Sequence, residues 1–406
     1  MRKLEVYIEE DGDFVLAGQI QGETWEDARF IYEKSYLENQ SHQPVSISLP
    51  FQEDAFSPFE TRCYFEGLLP EGYTRRCVAG WMHVAEEDYL SVLAGLGNEC
   101  LGAVRICEPG AGGCSPSYKK ISREELLEFA KEGASKSAQF LAKAHLSLTG
   151  ASGKTGLYYD NKDGWYMPFG TAPSTHIVKQ SHVRLSGIVA NEQLCLRTAK
   201  ILGIDVPESF IISVGTGEHI LFATKRFDRL MQEDSRVIDG KKVPFRLQQE
   251  DFAQALGVPA SQKYEKIGDS YLKRVFTLLR QYSDNPVEDQ LKLWDICIFN
   301  YLIGNTDNHI KNIGLLYGKD RRTIRLAPAY DIVSTMIYEE STEQMAMAID
   351  GELDIRKITK NHFAQRQGIL DSERESQCGG LNKCRTLLNV HLHRRRKKYR
   401  MRDIRA

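Results

Sequence analysis

Asp307, Asn312 and Asp331 have the side-chain types and the spacing that phosphoryl transfer from a nucleotide requires. One carboxylate must orient and deprotonate the acceptor hydroxyl, while an amide and a second carboxylate hold Mg²⁺ on the nucleotide phosphates. Because four residues separate Asp307 from Asn312, one loop can turn back and bring both to the same cleft. This D-x-x-x-x-N pattern followed by an aspartate is that of a kinase catalytic loop, although D-x-x-x-x-N alone also occurs by chance.

Two more candidate residues lie inside this loop. His309 would either contact a phosphate or hydrogen-bond within the loop, and its chemistry alone favours the structural role. A cation at Lys311 would stabilise the charge on the transferring phosphoryl group.

A segment rich in small residues, 147–154, precedes a predicted strand. Small residues let backbone N–H groups approach phosphate oxygens, and a lysine adds positive charge. We reject a P-loop NTPase, because Leu148 stands where that motif requires glycine and the segment does not open a helix. An ordinary glycine turn remains the alternative. The predicted phosphate-loop residues are Thr149, Gly150, Ala151, Ser152, Gly153 and Lys154.

Lys179 ends a predicted strand, and Glu192 lies on the predicted helix 188–202 among apolar neighbours. A lysine at such a strand end can pair with nucleotide phosphates, as in protein kinases, or can simply be exposed. A carboxylate on an apolar helix face needs a cationic partner, because burying it unpaired is costly. Lys179 is the natural partner of Glu192, with Arg197 or Arg226 as alternatives.

The connection after the next strand is a weaker candidate. In a two-lobed kinase the strand between the lobes offers backbone groups to adenine and a polar side chain to ribose. The Lys225 carbonyl, the Phe227 N–H and the Asp228 side chain would fill these roles, with Arg226 between them. An ordinary loop after a strand is the alternative.

These candidates follow one another in kinase order, and at this point the chain resembles the HipA family of serine/threonine kinase toxins. The resemblance covers about residues 1–365. Its most specific motifs are Ser147-x-x-Gly150, Thr175-His-Ile-Val-Lys179, Lys225-Arg-Phe-Asp228, Arg246-Leu-Gln-Gln-Glu-Asp251 with Lys263-Tyr-Glu265, Gly304–Asn312 and Pro328-Ala-Tyr-Asp-Ile-Val-Ser334.

The resemblance implies a role for each matching residue. Asp307 would be the catalytic base, and Asn312 and Asp331 would hold Mg²⁺. Ser147 matches the serine that members autophosphorylate, which silences the kinase. The residues implied to bind ATP are 149–154, Lys179, Lys225, Arg226, Phe227, Asp228, His309, Lys311, Asn312, Tyr330 and Asp331.

The resemblance also implies partners. A type II toxin–antitoxin kinase would pair with a small DNA-binding, HipB-like antitoxin and reach DNA only through it. Its protein substrates include an aminoacyl-tRNA synthetase.

The composition is ordinary for a soluble globular protein and gives no sign of binding to nucleic acid or to acidic membranes. The net charge of the 406 residues is −2, so no global field attracts nucleic acid or acidic membranes. No run of eighteen apolar residues exists, so we expect no membrane span. Nine scattered cysteines indicate reduced thiols and a cytoplasmic location.

The order of predicted elements, strands first and helices later, predicts an α+β, two-lobed, protein-kinase-like fold with a β-rich amino-terminal subdomain. Hairpin strands are expected at 4–8 and 14–20, a further strand at 45–49, and helices at 249–256, 270–283 and 287–303. The expected segments are a subdomain at 1–107, a linker and helix at 108–139, a nucleotide-binding part at 140–245, a helical catalytic lobe at 246–370 and a basic tail at 371–406.

Two other functions stay open at this point. The D-x-H-x-x-N form of Asp307, His309 and Asn312 also resembles the catalytic loop of phosphatidylinositol kinases, so a lipid or small-molecule kinase is an alternative. A catalytically silent protein that binds the antitoxin as a co-repressor is the other, although every base and metal residue is present.

Overall fold

Alternating apolar residues at the start of the chain form the first hairpin. The structure is a computed structural model that describes residues 1–111, 115–150, 153–181, 185–215 and 219–363. Strands β1 (Arg2–Glu10) and β2 (Asp13–Gly22) pair antiparallel. Asp11 and Gly12 both have positive φ, which is the two-residue turn that matches the twist of a hairpin. The expected hairpin is confirmed.

This hairpin belongs to a four-stranded sheet in the order β3-β2-β1-β4. Ser57 opens the second helix through a capping box with Glu60. The remaining elements of the segment are β3 (Arg29–Tyr32), α1 (Lys34–Glu38), α2 (Pro58–Phe65), a 3₁₀ turn (Glu66–Leu68), α3 (Gly72–Met82), α4 (Tyr89–Leu96) and β4 (Val104–Cys107).

The strand expected at 45–49 is wrong. The segment is a tight turn, in which the Leu49 N–H donates to the Ser46 carbonyl at 3.1 Å. Ser46 Oγ and the Ile47 N–H donate to the Glu250 carboxylate at 2.5 and 3.1 Å. The chain therefore curls around a distant carboxylate instead of extending along a neighbouring strand.

A six-stranded sheet in the order β5-β7-β6-β8-β10-β9 carries the nucleotide-site candidates. Helix α5 begins with a capping box between Ser122 and Glu125. Gly133, at φ 66°, separates it from α6, a helix that we did not predict. The elements are β5 (Ser117–Lys120), α5 (Arg123–Glu132), α6 (Ala134–Ala144), β6 (Lys154–Asp160), β7 (Gly164–Phe169), β8 (His176–Gln180), α7 (Ile188–Ile201), β9 (Ser209–Val214) and β10 (His219–Lys225).

The helix expected at 249–256 is shorter than predicted. Residues Gln249–Asp251 form strand β15, and α8 covers only Phe252–Ala255. Asp251 accepts a hydrogen bond from the Gln254 N–H, so its side chain caps the helix and sets where it begins. The short strands nearby are β11 (Arg229–Leu230), β12 (Val237–Ile238), β13 (Lys241–Lys242), β14 (Phe245–Arg246) and β16 (Gly314–Tyr317).

The described chain divides into two units. Unit 1 contains Met1–Gln193, Pro207–Ala260 and Leu315–Thr323, and unit 2 contains Leu194–Val206, Ser261–Gly314 and the chain from Ile324. In unit 1 a single apolar cluster runs from Leu4 in β1 to Ala223 in β10. The amino-terminal sheet and the six-stranded sheet therefore share one hydrophobic core.

Unit 2 is built on two helices, α9 (Tyr271–Tyr282) and α10 (Pro286–Ile303), and every boundary lies within one residue of the prediction. Phe276 of α9 and Trp294 of α10 meet edge to face, with ring centroids 6.1 Å apart. The strands are β17 (Ile324–Leu326), β18 (Gln344–Ile349) and β19 (Glu352–Asp354).

Taken together, the described elements are mixed helices and sheets, so the expected α+β class is confirmed. Within the described residues, no helix has the length and hydropathy to cross a membrane. The expected basic tail, 371–406, lies outside the described residues.

Candidate functional site

Ser147 opens the predicted phosphate loop and is completely buried. Its N–H donates to the Glu99 carbonyl at 2.8 Å, and its Oγ donates to the Leu68 carbonyl at 2.7 Å. Both acceptors belong to the amino-terminal segment. The start of the loop is therefore held by the backbone of residues that lie far away in sequence.

Two glycines of the loop lie close to neighbouring side chains, and Gly150 also has a backbone conformation that larger residues rarely adopt. Gly150 has φ 97°, and a Cβ there would lie 2.7 Å from Lys154 Nζ. A Cβ at Gly153 would lie 2.5 Å from Gln180 Nε2. The Gly150 carbonyl also accepts a hydrogen bond from the Glu71 N–H at 3.2 Å. Ala151 and Ser152, between the glycines, lie outside the described residues.

Two lysines lie side by side in the six-stranded sheet. Lys154 of β6 is directly opposite Lys179 of β8 in the antiparallel register. Both side chains are largely buried. Because like charges opposite one another on a sheet repel, this placement favours anionic groups nearby. Thr149, at the other end of the loop, is partly exposed.

Lys179 and Glu192 form a buried ion pair. Lys179 Nζ donates to Glu192 Oε1 at 2.7 Å, and each side chain is less than a tenth exposed. Lys179 Nζ also lies 5.7 Å from the centroid of the Phe222 ring. The predicted pairing of Lys179 with Glu192 is therefore confirmed. Arg226, which was an alternative partner of Glu192, pairs with Glu99 and Asp228 instead.

Arg226 and Asp228 belong to a buried cluster of charges, so the Asp228 side chain that we expected to reach a ribose is bonded within the protein. Two guanidinium nitrogens of Arg226 donate to the Asp228 carboxylate at 2.9 and 2.7 Å. Arg226 also reaches Glu99 at 3.2 Å, and Arg229 contacts both carboxylates at 3.0 Å. The Arg226 and Asp228 side chains are at most 3% exposed, so both are used within the protein.

Within this cluster the arginine and carboxylate charges neutralise one another, as in a site that stabilises the fold. Although burial acts to raise it, the charges of Arg226 and Arg229 lower the pKa of Asp228 to about 2. The Arg226 N–H donates to the Thr175 carbonyl at 2.9 Å, so its backbone donor is also used. The neighbouring Lys225 side chain is exposed and Phe227 is partly exposed.

The predicted catalytic loop follows directly from the end of α10. Gly304 ends that helix with φ 70°. The Asn305 side chain accepts the Asp307 N–H at 3.0 Å, and the Asp307 carbonyl accepts the Asn312 Nδ2 at 3.0 Å. The structure therefore brings Asp307 and Asn312 together, as the spacing of the two residues predicts.

The same loop is braced on both sides within unit 2. The Thr306 N–H donates to Thr335 Oγ1 at 2.8 Å, and the Thr306 carbonyl accepts the Ala346 N–H of β18 at 2.9 Å. Tyr330 Oη donates to the Lys311 carbonyl at 3.0 Å, which ties the segment carrying Asp331 to the loop. Asp331 itself has φ 55°, a backbone conformation that is uncommon outside glycine.

His309 and Lys311 are both buried. His309 packs edge to face against Tyr264, with ring centroids 5.2 Å apart. This packing agrees with the structural role that its chemistry favoured.

One residue near Asp307 was not assigned a role from the sequence. Tyr264 Oη donates to Asp307 Oδ1 at 2.7 Å. The only available signal was its place in the motif Lys263-Tyr-Glu265, because 43 positions separate the two residues.

Comparison with known proteins then places the chain. Residues 4–107 match the model of the HipA N-terminal domain, and residues 146–384 match that of the HipA-like C-terminal domain. The chain belongs to the HipA family. The similar proteins include "Putative kinase Y4mE" of Sinorhizobium fredii, which is 32% identical over 87% of this chain and 84% of its own length.

A second HipA-family relative carries a functional name. The "Serine/threonine-protein kinase toxin HipA" of Shewanella oneidensis is 29% identical over 79% of this chain and 73% of its own length. Among solved structures, the complex of HipA, HipB and operator DNA from Shewanella oneidensis contains a chain that matches with a TM-score of 0.71. That match has 24% identity and covers 96% of both chains, so the HipA-like, kinase-like fold is shown.

Replacing Arg226 with methionine tests the structural assignment of the buried cluster. Because Glu99 and Asp228 would keep a buried charge with less compensation, we expect the free energy of unfolding to fall by about 3–5 kcal/mol. Lys225→Met is the matched control, since Lys225 is exposed and its ion pair with Glu208 is long, at 3.7 Å. The control should change stability by about 0.5 kcal/mol or less. Urea denaturation measures both, and equal effects would contradict the assignment.

Proposed function

We propose that this HipA-family protein is an ATP-dependent serine/threonine protein kinase that acts as a growth-inhibiting toxin of a bacterial type II toxin–antitoxin system. The buried Lys179–Glu192 pair carries the proposal. A glutamate on a helix that holds a strand lysine is the arrangement with which protein kinases position nucleotide phosphates. The membership in the family and the Asp307 loop support the same chemistry.

The residues that we propose to meet the nucleotide phosphates lie in unit 1. Lys179 and Lys154 are the cations that would meet the phosphates, and their adjacent positions concentrate positive charge. Gly150 and Gly153 add no side chain at their positions in this loop, which helps backbone N–H groups to approach phosphate oxygens. The backbone of Lys225 and Phe227 remains our proposal for holding adenine.

Asn312 and Asp331 fit Mg²⁺ as a chemical set. An amide oxygen and a carboxylate are hard oxygen donors, and Mg²⁺ is commonly held by one or two protein groups together with phosphates and water. Since the Asn312 Nδ2 is used by the Asp307 carbonyl, its amide oxygen is the group that remains for a cation. When bound, the metal would neutralise charge on the transferring phosphoryl group.

Asp307 is the proposed catalytic base. It would accept the proton of the acceptor hydroxyl, and the hydrogen bonds that fix its backbone would keep the carboxylate in place. Lys311 and His309 of the same loop are buried, and Lys311 would supply positive charge to the transferring phosphoryl group.

We propose that phosphorylation of Ser147 regulates the kinase. The buried Oγ is bonded to the Leu68 carbonyl, so it must leave this position before it can receive a phosphate. A phosphate carries up to about two negative charges and could not return to the same buried place without a large desolvation penalty. Phosphorylation would thus hold the loop out of its nucleotide-binding conformation and silence the kinase.

The proposed partners follow from the family. A HipB-like antitoxin would bind the protein and link it to DNA, as the name of the Shewanella oneidensis complex describes for that HipA. A protein, with an aminoacyl-tRNA synthetase as the expected example, would be the acceptor in the cytoplasm. Transfer of phosphate to lipid vesicles, and none to protein, would instead favour the lipid-kinase alternative.

Asp307→Asn tests the catalytic base. Because the amide cannot accept the proton, we expect incorporation of labelled phosphate from Mg·ATP into casein and into the chain itself to fall by at least about 100-fold. Asp350→Asn is the control, since Asp350 is exposed in the same unit and has φ 52°, which asparagine tolerates. Mass mapping should find label on Ser147 in the wild type and in the control. Equal incorporation by Asp307→Asn would exclude it as the base.

Ser147→Ala tests self-silencing. After incubation with Mg·ATP, the wild-type rate of casein phosphorylation should decline as Ser147 becomes phosphorylated, whereas the variant should keep its initial rate. Ser135→Ala is the control, because Ser135 is exposed on α6, close in sequence to the loop, and it should decline like the wild type. Equal decline in all three proteins would reject silencing through Ser147.

A further inference from the structure

Tyr264 donates a hydrogen bond to Asp307, and the hydroxyl group that receives the phosphate would have to donate the same bond. Its Oη donates to Asp307 Oδ1 at 2.7 Å. In the proposed reaction a serine or threonine hydroxyl must donate to this same carboxylate before it loses its proton. A phenol, which is protonated at neutral pH, is chemically the same kind of donor.

We propose that Tyr264 occupies the acceptor position on Asp307 and must be displaced by the hydroxyl of the incoming protein. This inference rests on the proposed kinase function, because it assigns the acceptor side of that site. Tyr264 is thereby a residue that controls which hydroxyl groups reach the base.

The backbone beside Tyr264 is fixed. The Glu265 N–H donates to the Ala346 carbonyl at 2.9 Å, and Glu265 Oε2 accepts the Ala348 N–H at 2.8 Å. The Ala346 N–H in turn donates to the Thr306 carbonyl of the catalytic loop. Since one strand, β18, holds both segments, displacement of the phenol requires rotation of its side chain and not movement of the chain.

The side chain has room for that rotation. Tyr264 is 47% exposed, and rotation would give up packing contacts that include the edge-to-face contact with His309 and the Lys263 ammonium 5.4 Å from the ring centroid. A cavity of about 450 Å³ begins at the next residue, Glu265, and extends to Trp294 and Leu353. It can receive residues that flank the acceptor hydroxyl.

The chemical step is ordinary phosphoryl transfer once the phenol has moved. The acceptor oxygen forms a bond to the γ-phosphorus of ATP while the bond to the bridging oxygen breaks and ADP leaves. The acceptor proton goes to the Asp307 carboxylate. Tyr264 neither gains nor loses a bond to phosphorus, so its effect falls on acceptor binding.

Tyr264→Phe separates this role from one in orienting the base. The variant keeps the ring against His309 and removes the competing donor. With a synthetic peptide of residues 140–154 as the acceptor, we expect its KM to fall about three- to tenfold, with kcat and the KM for ATP within about twofold of wild type. Tyr282→Phe, an exposed tyrosine of the same unit, should change neither constant. A large fall in kcat with unchanged peptide KM would overturn the proposal.

A measurement without catalysis distinguishes failure of this inference from failure of the kinase assignment. In protein with ¹³C-labelled tyrosine rings, the Tyr264 signal is the one lost in Tyr264→Phe. We expect that signal to shift in Asp307→Asn and to shift when the 140–154 peptide is added to the wild type. No shift with peptide would overturn the proposal even if transfer occurs, whereas a shift without any transfer would count against the kinase assignment alone.

Discussion

A lysine ammonium and a glutamate carboxylate can be buried together only if each neutralises the other. Lys179 and Glu192 meet that condition across β8 and α7, at 2.7 Å. The pair fixes the end of a strand against the first turns of a helix. It also leaves Lys154, on the neighbouring strand, as a second cation at the same place in the sheet. The proposed phosphate site is built around this ion pair.

A second set of buried charges holds the surroundings of that site. Arg226 and Arg229 neutralise Glu99 and Asp228, and Glu99 also accepts the Ser147 N–H through its carbonyl. The start of the phosphate loop is thereby bonded to the amino-terminal segment, which shares its hydrophobic core with the six-stranded sheet. A change in the loop must break contacts with that segment. This arrangement gives the amino-terminal segment a physical means to influence nucleotide binding.

The predicted catalytic loop of unit 2 is held by hydrogen bonds between neutral groups. Backbone and amide groups from Gly304 to Asn312 bond to one another, to Thr335 and to β18. Such a network fixes the backbone on both sides of Asp307 and so holds its carboxylate in place.

What could be predicted from the sequence was local. The Asp-Gly hairpin, the capping box of Ser122 and the D-x-x-x-x-N loop depend on residues within a few positions of one another, and the structure has each of them. The sequence also limited the partner of Glu192 to a few lysines and arginines, because a carboxylate on an apolar helix face needs a cation beside it. The misses were distant contacts: Ser46 with Glu250, Arg226 with Glu99 and Tyr264 with Asp307 are 204, 127 and 43 positions apart. Sequence patterns that span a few residues cannot predict such contacts, because the partners are brought together only by the fold.

Calorimetric titration with Mg²⁺ and a non-hydrolysable ATP analogue tests the central claim most directly. Wild type should bind, and Lys179→Met should lose at least about tenfold in affinity, equivalent to about 1.4 kcal/mol, while circular dichroism shows both proteins folded. Equal affinity of the two folded proteins would contradict the account, because the buried lysine would then hold no phosphate.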